Sequence, residues 1–314
     1  MSDLSLNERA TQLCDEIAAR ADELQVTCHQ LDCGTTVFDF GIDMPGSQAA
    51  GLLLARVCLA DLAEVTQDAS EPWPLVAVAT DHPVAACMAS QYAGWEIQGD
   101  KFFAMGSGPM RAAAGREPLF DDIGYRERCD SCVGVLESGQ LPPETVCEEI
   151  AAKCGIGARR LTLLVAPTSS QAGTLQVVAR SVETALHKLH ELGFDLSRVE
   201  RGQGTAPLPP VAKDDLAGIG VTNDAILYGG EVTLDVRGDD RSLAEIGPRV
   251  PSSASADYGR PFAEVLASCD NDFYRVDPLL FSAAQITFVN LDSGQRHTFG
   301  QTNAAVLERS FCNN

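Results

Sequence analysis

Apolar residues recur at helical spacing from Leu6 to Leu24, at Leu6, Ala10, Leu13, Ile17, Ala21 and Leu24, which predicts an N-terminal amphipathic helix. Val26 to Leu31 and Thr35 to Phe40 then read as two short strands, with Asp32-Cys33-Gly34 between them as a hairpin turn. Gly46 to Leu62, rich in alanine and leucine, predicts a second helix, and Asp68 to Pro74 a loop. Leu75 to Ala79 is a continuous apolar run of the kind a buried strand shows. Thr80-Asp81-His82-Pro83 follows and predicts a helix start, because Asp can cap and Pro suits the first turn. Phe102 to Met105 leads into the turn Gly106-Ser107-Gly108-Pro109, which opens another helix. Cys132 to Leu136 reads as a strand, Pro143 to Lys153 as a helix closed by Cys154-Gly155, and Leu161 to Ala166 as a further apolar strand. One long helix is expected from Ser170 to Leu192. Beyond it, Gly202 to Pro210 reads as a Gly/Pro-rich loop, Lys213 to Tyr228 as partly helical, and Glu231 to Val236 as a strand. Pro251 to Ser255 reads as a loop, and Gln285 to Leu291 and His297 to Phe299 as a final pair of strands. The alternation of strands and helices defines an α/β architecture. No repeat, low-complexity tract or linker interrupts it, so residues 1–314 read as one unit of two lobes whose boundary the pattern does not reveal.

The helix after Ser170 carries the most informative polar face. At about 100° per residue, Leu175, Val178, Val182, Leu186 and Leu189 cluster on one side. Arg180, Glu183, His187 and Glu191 fall on the other, and Arg180 and Glu183 are neighbours three residues apart. Spacing alone is satisfied by a solvated face with a weak ion pair; the alternative is a carboxylate oriented by a guanidinium. His187, His190 and Glu183 also raise a metal site. His190, however, turns toward the core edge, and the helix lacks an H-E-x-x-H pattern.

Composition narrows the classes. The 314 residues, 45% hydrophobic, are enough for one large or two smaller cores. The formal charge of -21 disfavours nucleic acid and anionic membranes and is compatible with a cationic substrate. Met1 to Glu8 is polar and acidic rather than leader-like, and no run reaches the roughly 18 apolar residues of a membrane span, so a cytoplasmic location is expected. The eleven cysteines are scattered and odd in number, which fits free thiols. The single C-x-x-C, Cys129 to Cys132, falls short of the four ligands of structural zinc.

Three further segments carry polar groups suited to a ligand. Gly106-Ser107-Gly108-Pro109-Met110-Arg111 places two glycines before a helix, where exposed amides and Arg111 could hold an anion; the glycine spacing matches neither a P-loop nor a dinucleotide fingerprint. Ser90-Gln91-Tyr92-Ala93-Gly94-Trp95 offers a hydroxyl, an amide and two aromatics, which suit a flat heterocycle or a core edge. Asn223-Asp224-Ala225-Ile226-Leu227-Tyr228 places polar groups near a helix end. No G-x-S-x-G elbow is present.

Together these segments closely resemble the methenyltetrahydromethanopterin cyclohydrolases. The resemblance rests on TDHPVAACMASQYAGW (80–95), AMGSGPMRA (104–112) and VAPTSSQAGTLQVVARSVETALHKLHELGFDL (165–196). It continues through APLPPVAKDDLAGIGVTNDAILYGG (206–230), VPSSASADYGRPF (250–262) and DFYRVDPLLFSAAQ (272–285). It is weaker in the N-terminal helix, near Asp68 and from Gly115 to Arg128. It implies two α/β domains with a large cleft between them, a homotrimer, no metal and no prosthetic group. It implies reversible hydrolysis of the 5,10-methenyl bridge of tetrahydromethanopterin, or its dephospho form, to the N5-formyl compound, in formaldehyde oxidation or methane formation. The family's functional arginine and glutamate match Arg180 and Glu183.

On that resemblance Glu183 is expected to act as base and later acid, with Arg180 orienting it. Ser90, Gln91, Gly106, Ser107, Gly108, Arg111, Asn223, Asp224 and Tyr228 are expected to bind the pterin, while Lys213, Asp214 and Asp215 either bind or shape their loop. Two alternatives stay open: a metal-dependent amidohydrolase using His187, His190 and Glu183, and a non-catalytic pterin-binding protein.

Overall fold

The computed structural model describes residues 4–270, 272 and 275–312. The start of Met1 to Glu8 and part of 272–285 lie outside the described residues. The strands are β1 (Thr27–Gln30), β2 (Thr36–Asp39), β3 (Glu64–Gln67), β4 (Leu75–Thr80), β5 (Trp95–Gln98) and β6 (Phe103–Ser107). They continue as β7 (Cys132–Glu137), β8 (Leu161–Ala166), β9 (Val199–Pro207), β10 (Glu231–Val236), β11 (Gln285–Asn290) and β12 (Arg296–Gly300). The chain divides into two compact units, each discontinuous in sequence: Met1–Ala63 with Ala85–Gln176, and Glu64–Val84 with Val177–Asn314. Each holds one six-stranded mixed sheet among helices, an α/β arrangement.

In the first unit the sheet order is β1-β2-β8-β7-β6-β5, with β2, β8 and β7 parallel. The apolar runs in β7 and β8 are explained by burial on both faces. Leu164 and Ala166 meet Leu13, Ile17, Leu54 and Val57 on one side. Leu161, Leu163 and Val165 meet Met110, Val146 and Ile150 on the other. The β1–β2 hairpin forms where the sequence places it, Leu31 N donating to Thr35 O at 3.0 Å across the turn. The second helix runs from Gln48 to Cys58, with the Ser47 hydroxyl accepting from Ala50 N as its cap.

In the second unit the order is β12-β11-β10-β9-β4-β3, and only β10 and β11 pair in parallel. Along β10, Val232, Leu234 and Val236 are buried while Glu231 is exposed, the alternation of a sheet covered on one face. The helices Ser181–Glu191 and Asp215–Gly229 pack on this sheet.

One sequence expectation needs correction here and a second gains detail. The segment 202–207, expected to be loop, belongs to β9, which pairs with β10 and β4 along its length. The glycines there are packing devices rather than loop signals. The expected helix start at Thr80 to Pro83 holds, with Pro83 the first helical residue, and the helix continues over Val84–Gln91 as a π-helix. Thr80 rather than Asp81 closes the preceding turn, its hydroxyl accepting from His82 N at 3.0 Å.

Candidate active site

The long helix expected from Ser170 to Leu192 is two helices, Gln171–Val178 and Ser181–Glu191, broken at Ala179 and Arg180. Arg180 sits at φ -96° and ψ 9°, and its amide donates to Val177 O at 3.1 Å, a tightened i→i−3 bond that ends the first helix. Its carbonyl then starts the second helix by accepting from both Thr184 N and Thr184 Oγ1 at 2.8 Å. Glu183 stands in the first turn of this helix.

The solvated-face reading is also corrected. Arg180 is 7% exposed and Glu183 6%, so the polar side faces protein at its start, while His187 is half-buried and Glu191 exposed. β9 explains how the helix comes so close to the sheet. A Cβ on Gly202 would stand 2.7 Å from Val182 Cγ1, and one on Gly204 would stand 2.5 Å from Ser181 Oγ. The two missing side chains let the first turn, with Glu183 on it, rest directly on the strand. His187 Nε2 and His190 Nδ1 lie 3.7 and 3.8 Å from Glu191 Oε1. Among the described residues no group of three His, Cys, Asp or Glu side chains could hold a metal ion.

In the first unit, the structure brings together Ser90, Gln91, Gly106, Ser107, Gly108 and Arg111. Ser90 Oγ donates to Cys58 O at 2.6 Å, and Ser90 O accepts from Gly108 N at 2.9 Å. Gly108 adopts φ +86°, which glycine reaches without strain and which lets the turn close against the end of the π-helix. Cys58 Sγ lies 3.8 Å from Ser107 Oγ and 3.7 Å from Gln176 Oε1. Cys58 and Gln176 escaped the sequence analysis, since nothing local marks a partner 118 positions away. The expected anion site of exposed amides and Arg111 is corrected: Gly106, Ser107 and Gly108 are buried, and Arg111 is 0% exposed with its guanidinium turned inward. Cys129 and Cys132 hold their sulfurs 3.3 Å apart as free thiols. The hydrogen bond to Cys132, and then burial, push the Cys129 thiol up, away from a ligating thiolate.

In the second unit, Asn223 is half-buried and its amide donates to Ile219 O at 2.8 Å. Tyr228 Oη donates to Arg260 O at 2.6 Å and accepts from Gly259 N at 3.0 Å. Asp224 Oδ1 accepts from Phe262 N at 2.8 Å, capping a helix whose own cap position is Pro261, and Oδ2 accepts from Ser310 Oγ at 2.6 Å. Both side chains thus spend their polar atoms on packing. Asp214 does the same, accepting from Ala217 N at 2.8 Å, and Lys213 is exposed.

Burial pushes the Asp224 carboxyl up to about 7, although the bonds from Ser310 and Phe262 pull the other way. A raised acid favours its neutral form in the fold. Its stabilising effect is therefore full below pH 3.8 and is lost as the pH rises through about 7. At about 1.36 kcal/mol per pKa unit, the span corresponds to about 4 kcal/mol. Asp224→Asn keeps an acceptor for Phe262 and presents an amide donor to Ser310. Urea midpoints are expected to show the variant more stable than the parent at pH 8 by roughly 1–3 kcal/mol, with the gain gone at pH 4. Equal gains at both pH values would contradict a buried carboxylate as the cause.

A hollow of about 400 Å³ lies on the second sheet, lined by Thr66, Ala77, Ala79, Gln203, Thr205 and Thr233 among others. Glu64 and Glu231 also line it, and none of the candidate residues does.

A buried carboxylate in a helix first turn, beside a buried arginine on a glycine-lined strand, suits proton transfer to and from water. Comparison with known proteins gives the class: the chain is a cyclohydrolase, a hydrolase acting on a cyclic C–N bond. It belongs to the family described as Cyclohydrolase (MCH), whose model matches residues 5–311. The methenyltetrahydromethanopterin cyclohydrolase of Methylobacillus flagellatus is 44% identical over 312 residues, covering 98% of this chain and 95% of the relative. That of Rhodopirellula baltica is 48% identical and covers 88% and 86%. The methenyltetrahydromethanopterin cyclohydrolase of Methanospirillum hungatei is 39% identical and covers 98% and 99%.

Proposed function

We propose that the chain catalyses the reversible hydrolysis of 5,10-methenyltetrahydromethanopterin to the N5-formyl compound. The observation that carries this reading is similarity to enzymes of that name along nearly the whole chain. It is supported by the burial of Arg180 and Glu183 at the start of one helix.

The methenyl carbon sits between two nitrogens and shares their positive charge, so it is already electrophilic. Adding hydroxide to that cation gives a neutral adduct, and the step demands no oxyanion hole. It demands a base for the water and then a proton for the departing N10. Glu183 takes one proton from water and returns it to N10 as the C–N10 bond breaks, while the adduct hydroxyl gives its proton to solvent as it becomes the formyl carbonyl, so each cation hydrolysed releases one proton. Arg180 orients Glu183 and stays away from the carbon, since a second cation facing it would raise the barrier. Ser90, Gln91, Gly106, Ser107 and Gly108 contribute to pterin binding. Asn223 adds a half-buried amide, while Asp224 and Tyr228 hold the fold behind it. The chemistry needs no metal or prosthetic group, because the substrate brings its own activated carbon. The same reading places the chain as a homotrimer in cytoplasmic one-carbon metabolism, in formaldehyde oxidation or methane formation.

Mixing the enzyme with the methenyl pterin should bleach the methenyl absorbance as the N5-formyl product forms, at a rate that a strong chelator leaves unchanged. No bleaching at substrate levels of enzyme would end this reading; bleaching that a chelator stops would transfer the chemistry to a metal.

A further inference from the structure

Among the described residues Arg111 is the largest fully buried side chain. Its guanidinium is spent in three directions. Nε donates to Glu117 Oε1 at 3.0 Å and Nη2 to Glu117 Oε2, the two-point fit of a fork to a carboxylate. Nη1 donates to Met88 O at 2.8 Å and lies 3.4 Å from Ser90 O. The guanidinium carbon lies 4.9 Å from the Tyr92 ring centre and 5.3 Å from that of Phe120.

The two carbonyls belong to the last turn of the π-helix Val84–Gln91. A π-helix is rare, and its wide last turn leaves carbonyls that no helical amide reaches. Here Tyr92 N closes one i→i−5 bond, to Cys87 O at 2.8 Å. Arg111 takes Met88 O, and it shares Ser90 O with Gly108 N. A single side chain therefore ties the π-helix end, the glycine turn 106–108 and the Tyr92 ring into one rigid piece. Glu117 neutralises it. Only a planar fork reaches both carbonyls and the carboxylate at once.

We propose that Arg111 is a positioning residue for the cyclohydrolase reaction. It holds Ser90, Gln91 and the glycine turn in the arrangement that receives the pterin, and it touches neither pterin nor Glu183. The inference rests on the reading above, in which those residues contribute to pterin binding. Because Arg111 acts on the binding wall and not on the proton carrier, its loss should appear in KM and spare kcat.

The test compares Arg111→Lys, Arg111→Met and Glu117→Gln with the parent in the methenyl-bleaching assay, with thermal melts run alongside. Arg111→Lys should raise KM at least fivefold with kcat within about twofold, because an ammonium reaches one acceptor group and cannot bridge. Arg111→Met should be worse than Lys. If it does not fold, Glu117→Gln carries the test, since it keeps the arginine, weakens the fork, and should raise KM two- to fivefold. Folded variants with unchanged KM, lower melting points or not, would overturn the proposal and leave Arg111 a strut of the fold. A fall in kcat at constant KM would also overturn it, by assigning Arg111 to the chemical step. Failure of the parent itself to bleach the substrate is a different result and would remove the function, not the clamp.

Discussion

Glu183→Gln should bind the methenyl pterin within about threefold of the parent and lose roughly 10²–10⁴ in kcat. Glutamine has nearly the volume of glutamate, so the buried first turn keeps its packing and the loss is chemical. An amide cannot take a proton from water at neutral pH, and it cannot return one to N10. Binding should survive because the cationic carbon is only one part of a large, mostly polar ligand. Steady-state kinetics in both directions provide the check. A variant with near-parent kcat would exclude Glu183 as the base. Loss in one direction alone would contradict a single carboxylate serving as both base and acid, since the reverse reaction uses the same group.

The second large effect should come from a residue that carries no functional group. Gly204→Val places a side chain where even a Cβ would stand 2.5 Å from Ser181 Oγ and 3.0 Å from Val182 Cγ2. Ser181 and Val182 are fully buried and open the helix that carries Glu183. Neither neighbour has room to give, so the helix must lift. Overpacking of this kind costs about 1–3 kcal/mol in stability. A displacement near 1 Å at a proton-transfer group costs about 10²-fold in rate. Both losses are expected together, as a lower urea midpoint and a lower kcat. Gln203→Val, one residue earlier on β9 and exposed, is the control and should leave both nearly unchanged. If Gly204→Val matched the parent in both measurements, the glycine strand would not be the seat of the helix.

The contrast between these two residues shows what was legible in the chain. The Arg180 and Glu183 pair could be found in sequence because its neighbours form long, recognisable segments. Its burial could not, because a polar residue off the apolar stripe looks solvated whenever the surface opposite it is unknown. The helix break at Ala179 and Arg180 was equally hidden, since Val178 and Val182 keep apolar spacing across it. The π-helix escaped for a related reason. Ala85 to Gln91 are all buried, so no polar side exists to reveal a period. Arg111 looked like a surface cation because its anion, Glu117, and its carbonyls carry no mark of pairing.

Local physics determined much by itself. Continuous apolar runs specified β7 and β8 as buried strands, the Asp32-Cys33-Gly34 turn specified the β1–β2 hairpin, and alternation specified an α/β chain. These follow from short-range periodicity and turn chemistry, which depend on residues adjacent in sequence. Tertiary structure alone decided that Gly202 and Gly204 belong to a strand, that Glu183 is buried, and that Arg111 supports a wall rather than binding an anion. The physical reason is common to all three. Each depends on what packs against the residue from a distant part of the chain, and a glycine, a glutamate or an arginine has the same local preferences whether that neighbour is a helix or water.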